Sequence, residues 1–376
     1  MISRPDRPHI VMIHKAYPPQ FGGIERHLRD LSEALAERNW RVTVLTCNED
    51  RFETRETIRG VNIIRVPRWG TVFSQPIVTR YFRRLRSPAP DLVHAHVPFP
   101  LAWPAVQRIG ASIPVVCTWH SDIVRQQRLM KWLSPCEQKF LRRCARIIVT
   151  SEPLLASSTA LQPHRQRCRV VPLAIPHSPA RDTQNTLELA EVIRQRFPGR
   201  IALFVGRLVG YKGLPYLIDA MQRVPATLLI VGDGPLRRTL ERQVAAMGMQ
   251  SKIHFLGRVA EQEKQALYRA ADVFVLPSIT KNEAFGYVLL EAMQAGCPVI
   301  STNLPTGVAW VNRHEETGLV VPPADAKALA DALKVLLNDD AMRLRCSSLA
   351  RARVEREFQF MDMIADIESL YREMLP

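Results

Sequence analysis

The sequence predicts an α/β protein of two domains, each a parallel sheet wrapped by helices. Three observations carry this prediction. Short apolar segments alternate with helical stretches along nearly the whole chain. The alternation runs through two series, which a segment bearing Pro and Ser, ending near Thr186, separates as a hinge. The length of 376 residues exceeds what one ordinary core supports and favours about two domains.

The first series begins with a short buried strand. We predict this strand at 9–14 and a helix at 24–39 with its leucines on one face. Further strands of the series are predicted at 41–46, 61–66, 92–96, 114–118 and 146–150. These elements make a first domain at 1–175, and we expect a C-terminal helix at about 359–376 to pack back on it.

The second series makes a domain at 187–358. Its strands are predicted at 200–205, 227–231, 252–255, 273–276, 299–302 and 318–321. In open α/β sheets, ligands bind beyond the carboxyl ends of the strands. We therefore expect the ligand in a cleft between two Rossmann-like domains.

The composition describes a folded protein with an uneven charge. Hydrophobic residues make up 47% of the chain and charged residues 23%. Residues 1–180 hold 27 Lys and Arg against 13 Asp and Glu, whereas residues 181–376 hold 24 against 23. The excess favours a polyanionic partner for the first half, either an acidic membrane or a nucleic acid. The alternative is an Arg-rich genome, although the second half balances its Arg with acids.

The cysteines and the N-terminus favour a reducing compartment. The chain has seven cysteines and no Cys-x-x-Cys pair, which favours neither a disulfide framework nor a zinc ribbon. Residues 1–9 lack the long apolar stretch of a secretory signal, and no apolar run has the length of a membrane span. We expect a cytoplasmic protein.

Two acids, Glu283 and Glu291, bracket an aromatic-Gly turn and an apolar run. Asn282 is expected to cap the turn, Gly286 lets a backbone approach a ligand, and a helix at 287–293 points free amides at an anion such as a diphosphate. Full helicity would separate the two carboxylates by roughly 12 Å. That distance disfavours a hydrolytic pair, in which the carboxyls lie closer. A plain core helix is the alternative.

Turns with glycine or basic residues follow several other predicted strands. Arg207 and Lys212 lie on one such turn and can clamp a diphosphate, Arg by its planar fork and Lys as a point charge. The turns at 232–235 and 255–258 line the same edge. In the first domain, Gly22–Gly23 at a helix start lets a phosphate or sugar approach the backbone. A tight turn without a ligand explains each of these alone.

Taken together, these motifs resemble glycosyltransferase family 4 in order and spacing. They are Gly22-Gly23, Gly206-Arg207 to Lys212-Gly213, Gly232-Asp-Gly234 and Glu283-x7-Glu291, and the resemblance covers essentially the whole chain. It implies the GT-B fold, two Rossmann-like domains with parallel sheets facing across a deep cleft, and transfer with retention. Residues 118–122, 282–286 and 307–312 also resemble bacterial O-antigen and exopolysaccharide transferases, many of them mannosyltransferases.

The resemblance also implies roles for single residues. His120 lies beside the anomeric region of the donor and is catalytic together with Glu283. Asp122 orients His120 or touches the acceptor. Arg207 and Lys212 hold the diphosphate, and Glu291 takes the ribose hydroxyls. The implied donor-binding set is Gly22, Gly23, Arg207, Lys212, Gly257, Arg258, Phe285, Gly286 and Glu291.

No protein nucleophile and no metal are expected. Retaining transferases of this fold are thought to react on one face of the sugar, with the leaving phosphate helping to deprotonate the acceptor hydroxyl. The chain has no Asp-x-Asp motif, and we expect the imidazoles of His94 and His96 to point to opposite faces of their strand. We therefore predict no cofactor beyond the nucleotide-sugar co-substrate.

The segment from 124 to 146 carries seven basic residues and one acid, Glu137, among apolar residues. Basic residues near an anionic leaflet contribute on the order of 1 kcal/mol each, and a Trp suits the interface. We expect a membrane face formed by Arg125, Arg128, Lys131, Trp132, Lys139, Arg142 and Arg143. It fits a lipid-linked acceptor such as an undecaprenyl diphosphate saccharide, and a peripheral position at the inner face of the cytoplasmic membrane. An ordinary solvated surface is the alternative.

Several rival functions stay open. An epimerase of the same shape would need no acceptor, and a basic nucleic-acid-binding protein would need no transfer chemistry. Nucleic acid is the less favoured partner, because no aromatic stacking platform lies beside the charges. The resemblance favours GDP-mannose, or a related deoxyhexose donor, but UDP-sugars fit the same motifs.

Overall fold

The computed structural model describes residues 7–20, 22–72, 75–78, 81–85, 89–123, 127–178 and 181–375, without the side chains of 82 and 127–131. The chain divides into two compact units. The first unit contains Met1–Leu173 and Phe360–Pro376. The second unit contains Ala174–Gln359.

The strands and helices alternate along both units. The strands are β1 (His9–Ile13), β2 (Arg41–Cys47), β3 (Thr54–Ile58), β4 (Val61–Val66), β5 (Arg68–Val72), β6 (Gln75–Val78), β7 (Leu92–Val97), β8 (Val115–Trp119), β9 (Arg146–Val149), β10 (Cys168–Val170), β11 (Ile201–Val205), β12 (Thr227–Val231), β13 (Ile253–Gly257), β14 (Val273–Leu276), β15 (Val299–Thr302) and β16 (Gly318–Val321). The helices are α1 (Gly23–Glu37), α2 (Tyr81–Arg84), α3 (Ala102–Val106), α4 (Gln127–Arg143), α5 (Glu152–Ser157), α6 (Gln184–Arg196), α7 (Leu214–Met221), α8 (Arg237–Ala246), α9 (Glu261–Ala270), α10 (Tyr287–Gln294), α11 (Gly307–Val311), α12 (Ala326–Asn338), α13 (Asp340–Glu357) and α14 (Phe360–Arg372).

The first unit is built on an eight-stranded sheet in the order β10-β9-β8-β7-β1-β2-β4-β3. All neighbours pair in parallel except β3, which pairs antiparallel with β4 at the edge. Strand β1 is buried at every position, as expected for a central strand covered on both faces. Strand β3 was missed by the sequence analysis because its side chains are largely exposed, so that it lacks an apolar signal.

Helix α14 belongs to the first unit, although it ends the chain. The Tyr371 hydroxyl lies 2.6 Å from His94 Nδ1 on β7, and both residues are buried. The Trp40 indole donates to the Glu368 carboxylate at 3.2 Å. These contacts tie the C-terminus to the sheet that carries the histidines described below.

The second unit is built on a six-stranded parallel sheet in the order β13-β12-β11-β14-β15-β16. Its core consists of the inward side chains of these strands and the apolar faces of α7 and α12. None of the described helices combines the length and apolar character that a bilayer-spanning segment requires.

Each sheet has one point at which the strand order reverses. In the first unit it lies between β1 and β7, and in the second between β11 and β14. The loops that leave the carboxyl ends of such a pair run to opposite sides and open a crevice, where α/β proteins bind ligands. The predicted Arg207–Lys212 turn follows β11, and the segment that leads to Glu283 follows β14.

Candidate active site

The turn after β11 is packed tightly against the loop after β14. Residues Gly210–Lys212 form a short 3-10 turn, and Gly213 follows it in the left-handed region with φ 69°. A Cβ atom at Gly213 would lie 2.0 Å from the carbonyl oxygen of Pro277. Only glycine adopts this left-handed backbone easily and leaves room for the Pro277 carbonyl, so Gly213 allows the two loops to pack this closely.

The two loops meet in a buried ion pair. Lys212 Nζ lies 2.6 Å from Glu283 Oε2, and the Ser278 hydroxyl donates to the same oxygen at 2.8 Å. Burial alone lowers the pKa of Lys212, but the Glu283 carboxylate and the Tyr211 hydroxyl outweigh it and raise that pKa above its usual value. Lys212 is therefore a fixed positive charge at the reversal point of the sheet.

The other predicted residues of this edge lie on exposed turns. Arg207 follows β11 and is exposed, and Arg258 is exposed directly after β13. The Gly232 amide donates to the Gly257 carbonyl at 2.6 Å, which aligns the ends of β12 and β13. The structure thus brings Lys212 and Glu283 into contact and places the two arginines on exposed turns.

Helix α10 begins at a glycine and not at an asparagine cap. Gly286 is its N-cap in the left-handed region with φ 82°, and the Thr280 hydroxyl accepts from the Asn282 amide at 3.4 Å. The expectation that Asn282 caps the turn was wrong, because the chain enters the helix through Gly286. The Phe285 side chain packs in an aromatic cluster with Trp310 and Phe358, so only its backbone can face a ligand.

Glu291 lies near the end of α10 and is buried. Lys264 Nζ and the Tyr268 hydroxyl, both from α9, each donate to one of its carboxylate oxygens at 2.8 Å. Lys264 also pairs with Glu261. The carboxylate is therefore fixed in position.

In the first unit, His120 belongs to a buried histidine cluster. It follows β8, and its Nε2 lies 3.1 Å from His96 Nδ1 on β7. The ring of His27, from α1, stands edge-on to both, at 5.4 Å from His120 and 5.7 Å from His96. Burial lowers the pKa of His120 far below its usual value, with smaller contributions from His27, His14 and His94. His120 is neutral at physiological pH.

The expectation that His94 and His96 point to opposite faces was wrong. Their ring centroids lie 4.2 Å apart, because side chains alternate along a strand and residues two apart share a face. His94 Nε2 lies 2.7 Å from the Thr118 hydroxyl. Burial lowers the pKa of His94 to about 3, and His27 adds to this shift. Both imidazoles are therefore neutral components of one cluster.

Asp122 does not orient His120. Its Oδ1 accepts from the Trp119 indole at 3.0 Å and from the Ser158 hydroxyl at 2.6 Å, whereas His120 Nε2 lies beside His96 Nδ1. Glu137 from α4 lies close enough to interact electrostatically: burial raises the pKa of Glu137 to about 7, and Asp122 adds to it. The predicted contact between Asp122 and the acceptor stays a prediction.

The helix start at Gly22–Gly23 already has an acidic neighbour. A Cβ atom at Gly22 would collide with the Glu25 carboxylate, whereas the space around Gly23 is open. Glu25 Oε1 lies 3.6 Å from His14 Nε2. Burial alone raises the pKa of Glu25, but the contacts with His14 outweigh it and lower that pKa. An anionic ligand would compete with this carboxylate for the first amides of α1.

The histidine cluster is also the place where a metal ion could bind. One ring nitrogen from each of His27, His96 and His120 lies within 4.8 Å of the others, and imidazole is a common ligand for zinc and copper. His96 Nε2 and both ring nitrogens of His27 have no described hydrogen-bond partner. The expectation that no catalytic metal takes part stays a prediction.

The predicted membrane face is only partly described. Arg125 lies outside the described residues, as do the side chains of Arg128 and Lys131. Exposed residues recur three or four apart on the outward face of α4, at Trp132, Pro135, Cys136, Lys139 and Arg142, with Trp132 83% exposed.

Two charged residues of α4 do not contribute to that outward face. The Arg143 guanidinium donates to the carbonyls of Gly110 and Ile113, which anchors the helix to the unit. Glu137 is buried on the inner side of the helix. The described outward face therefore carries basic residues without an acid.

Sequence reasoning missed the partners that hold the predicted residues. Those partners are Ser278 for Glu283, Lys264 and Tyr268 for Glu291, and His96 and His27 for His120. A usable signal existed for the histidines, because His14, His96 and His120 lie at or beside strand ends of one domain. No pattern along the chain indicates the partners of Glu291, which come from a different helix.

Comparison with known proteins agrees with the architecture. Residues 21–178 match the family described as Glycosyltransferase Family 4, and residues 190–353 match that described as Glycosyl transferases group 1. The solved structure of sucrose-phosphate synthase from Thermosynechococcus elongatus has a TM-score of 0.79 at 25% identity, with 98% of this chain and 99% of that chain covered.

Two curated relatives match over nearly their full lengths. O-antigen chain mannosyltransferase C of Escherichia coli is 31% identical, with 97% of this chain and 98% of that protein covered. D-rhamnosyltransferase WbpZ of Pseudomonas aeruginosa is 34% identical, with 93% and 92% covered. Together with the two α/β units, these matches show that the chain belongs to glycosyltransferase family 4, has the GT-B fold and is a hexosyltransferase.

Proposed function

We propose that this enzyme transfers a hexose, with retention, from a nucleotide sugar to a lipid-linked saccharide of a cell-surface polysaccharide such as O-antigen. Mannose from GDP-mannose, or a related deoxyhexose, is the proposed donor group. The observation that carries the proposal is the buried pair of Lys212 and Glu283 at the reversal point of the second sheet. The names of the two curated relatives support the sugar class and the polysaccharide.

The donor's diphosphate is proposed to bind between the turn after β11 and the start of α10. Lys212 is a fixed cation there, and Arg207 is free to swing towards the phosphates from solvent. The start of a helix such as α10 presents backbone N–H groups to an anion. Glu283 then accepts from sugar hydroxyls, and Glu291, held by Lys264 and Tyr268, accepts from the ribose.

The chemistry follows from where charge develops. As the bond between the anomeric carbon and the phosphate oxygen breaks, negative charge grows on that oxygen, and Lys212 and the helix amides stabilise it. The acceptor hydroxyl attacks from the same face and gives its proton to the departing phosphate. No protein nucleophile or metal is required. His120 is a neutral imidazole, so it would hydrogen-bond a sugar hydroxyl without adding a charge.

The acceptor is proposed to be held at the inner face of the cytoplasmic membrane. The outward face of α4 supports this, since Trp132, Lys139 and Arg142 are exposed together there. Trp suits the membrane interface and basic residues attract anionic lipid. Asp122 and Glu137, below this face, are the proposed contacts for acceptor hydroxyls.

Donor screening followed by transfer assays tests the proposal. A donor at 100 times its dissociation constant stabilises the protein by about 2.7 kcal/mol, so thermal shift ranks GDP-mannose against UDP-sugars. We expect Glu283→Gln and His120→Ala to abolish transfer to a lipid-linked acceptor while the protein stays folded. The matched control is Glu316→Gln, which changes a solvent-exposed ion pair of the same unit.

The outcomes separate the rival functions. Full transfer by Glu283→Gln would overturn the assigned site. Conversion of the nucleotide sugar without any acceptor would indicate an epimerase. Binding of RNA or DNA that weakens with salt, together with absence of transfer, would indicate a nucleic-acid-binding protein.

A further inference from the structure

Residues 67–86 form a second basic segment in the first unit, separate in sequence from α4. The twenty residues contain five arginines, four aromatic residues and no acid. The two strands inside this segment, β5 and β6, pair with each other in a sheet of their own. A hairpin of this kind is marginally stable alone and needs a surface to cover one of its faces.

The register of the hairpin shows which face is uncovered. Gly70 pairs with Ile77 and Val72 with Gln75, so Val72 and Ile77 lie on one face. Thr71 pairs with Pro76 on the opposite face, where Pro76 is buried. Val72 and Ile77 are 51% and 47% exposed. The hairpin thus turns its apolar valine and isoleucine to solvent and its proline towards the protein.

Two aromatic residues are also exposed, one in β5 and one in the loop that contacts β5 through the Arg68 amide and the Asp50 carbonyl. Trp69 lies at the irregularity of β5 and is 54% exposed, and Phe52, in the loop before β3, is 58% exposed. The Arg51 guanidinium lies 5.9 Å from the centroid of the Trp69 ring. We refer to Arg51, Phe52, Trp69, Val72 and Ile77 together as the hairpin surface.

The charges beside the hairpin surface are mixed: the exposed acids Glu49 and Asp50 precede Arg51, and several arginines have no described ion pair. Arg55, Arg59, Arg65 and Arg84 pair with acids, but no described acid forms an ion pair with Arg51, Arg68 or Arg83. Arg68 instead donates to the backbone carbonyl of Glu49. Large apolar side chains that protrude together on a monomer mark an interaction site.

We propose that the hairpin surface inserts into the headgroup and upper acyl region of an anionic bilayer. Protruding Val, Ile and Phe side chains match the acyl boundary, Trp sits at the headgroup level, and arginines bind lipid phosphate while their stems stay apolar. A nucleic acid would leave the aliphatic side chains unused. The inference rests on the proposed function, because a lipid-linked acceptor requires the enzyme to reach the bilayer.

Vesicle binding of the full-length protein tests the inference without donor or acceptor. We expect sedimentation with phosphatidylcholine vesicles that contain phosphatidylglycerol and little with phosphatidylcholine alone. The double variant Val72→Ser/Ile77→Ser should lower the partition coefficient about tenfold or more, since two apolar side chains no longer leave water. The matched control is Leu187→Ser/Val192→Ser, which removes two exposed apolar side chains from α6 in the other unit.

Brominated lipids separate the hairpin surface from α4. They should quench the wild-type tryptophan fluorescence, and Trp69→Phe should remove more of this quenching than Trp103→Phe, which changes a buried ring. Trp132→Phe reports the contribution of α4 in the same assay. Equal vesicle binding by the wild type and the Val72→Ser/Ile77→Ser variant, or unchanged quenching in Trp69→Phe, would overturn the inference.

Transfer assays keep this inference distinct from the proposed function. The Val72→Ser/Ile77→Ser variant should transfer normally to a water-soluble saccharide analogue and poorly to an acceptor embedded in vesicles. If the wild type transfers to neither acceptor yet binds vesicles, the proposed function fails and the hairpin inference stands. Concentration-dependent dimerisation that the double variant abolishes, without vesicle binding, would assign the surface to a second copy of the chain and overturn the inference.

Discussion

Acidification should destabilise the first unit through His27. Its ring is fully buried, and neither ring nitrogen has a described hydrogen-bond partner. Burial lowers the pKa of His27 from 6.5 to about 4. The unfolded chain therefore binds a proton near pH 6.5, whereas the native chain does not until about pH 4. Because the unfolded state binds more protons in this window, the free energy of unfolding falls as the pH falls.

The size of the effect follows from these two pKa values. Between pH 7.5 and pH 5, His27 alone should remove about 2 kcal/mol from the free energy of unfolding. The groups that face its ring, His96 and His120, are themselves buried with lowered pKa values and act in the same direction. His94 contributes likewise. The wild type should therefore lose more stability than His27 alone accounts for, and His27→Leu should lose about 2 kcal/mol less than the wild type.

Urea unfolding followed by tryptophan fluorescence measures this difference. Five of the six tryptophans belong to the first unit, namely Trp40, Trp69, Trp103, Trp119 and Trp132, so the signal reports mainly that unit. The control variant is His177→Leu, which removes an exposed ring from the second unit and should follow the wild-type profile. Parallel pH profiles for the wild type and His27→Leu would refute the reasoning, because they would mean that His27 has the same pKa in both states.

Three further predictions concern the second unit and the chemistry. Gly213→Ala should destabilise that unit by about 1–3 kcal/mol and reduce the thermal shift given by the donor. The cause is that the alanine Cβ would collide with the Pro277 carbonyl and that the backbone at 213 is left-handed. The control is Gly210→Ala, because the space around Gly210 is open. Tyr268→Phe should cost about 1–2 kcal/mol in thermal or urea unfolding and raise the KM for the donor, because Glu291 loses the hydrogen bond from the Tyr268 hydroxyl. An unchanged KM would argue against contact between Glu291 and the ribose. Exhaustive chelation with EDTA should leave the transfer rate unchanged, and loss of activity restored by added zinc would assign a metal to His27, His96 and His120.

The strands of the parallel sheets were predictable because their burial produces a pattern that is visible along the sequence. Every strand predicted for the parallel sheets is present, since strands covered on both faces read as short apolar runs. The hairpin β5–β6 and strand β3 were missed for the opposite reason. Strands β3 and β5 have largely exposed side chains, and β6 has only four residues with a proline among them, so no apolar periodicity distinguishes these strands from a polar loop.

The glycines and charged residues of the candidate site were predictable from the sequence, but the contacts between its residues were not. Gly213 and Gly286 have positive φ values that favour glycine, so the sequence marks them. The contact between Lys212 and Glu283 joins residues 71 positions apart and depends on the two loops meeting at the reversal point of the sheet. The link from His120 to His96 likewise depends on β7 and β8 being neighbours. The spacing of the motifs identifies the site residues, whereas the sheet topology determines which of them are in contact.

The ion pair between Lys212 and Glu283 implies that the positive charge of the proposed diphosphate site is already balanced before a donor binds. A buried cation without a partner is strongly unfavourable, and Glu283 supplies that partner while Ser278 supports the carboxylate. A diphosphate brings negative charge that can take over the compensation of Lys212, which releases Glu283 to accept from sugar hydroxyls. Nucleotide and sugar recognition are then coupled through one lysine. A nucleoside diphosphate without its sugar should therefore already loosen Glu283, and a free sugar without the diphosphate should bind poorly.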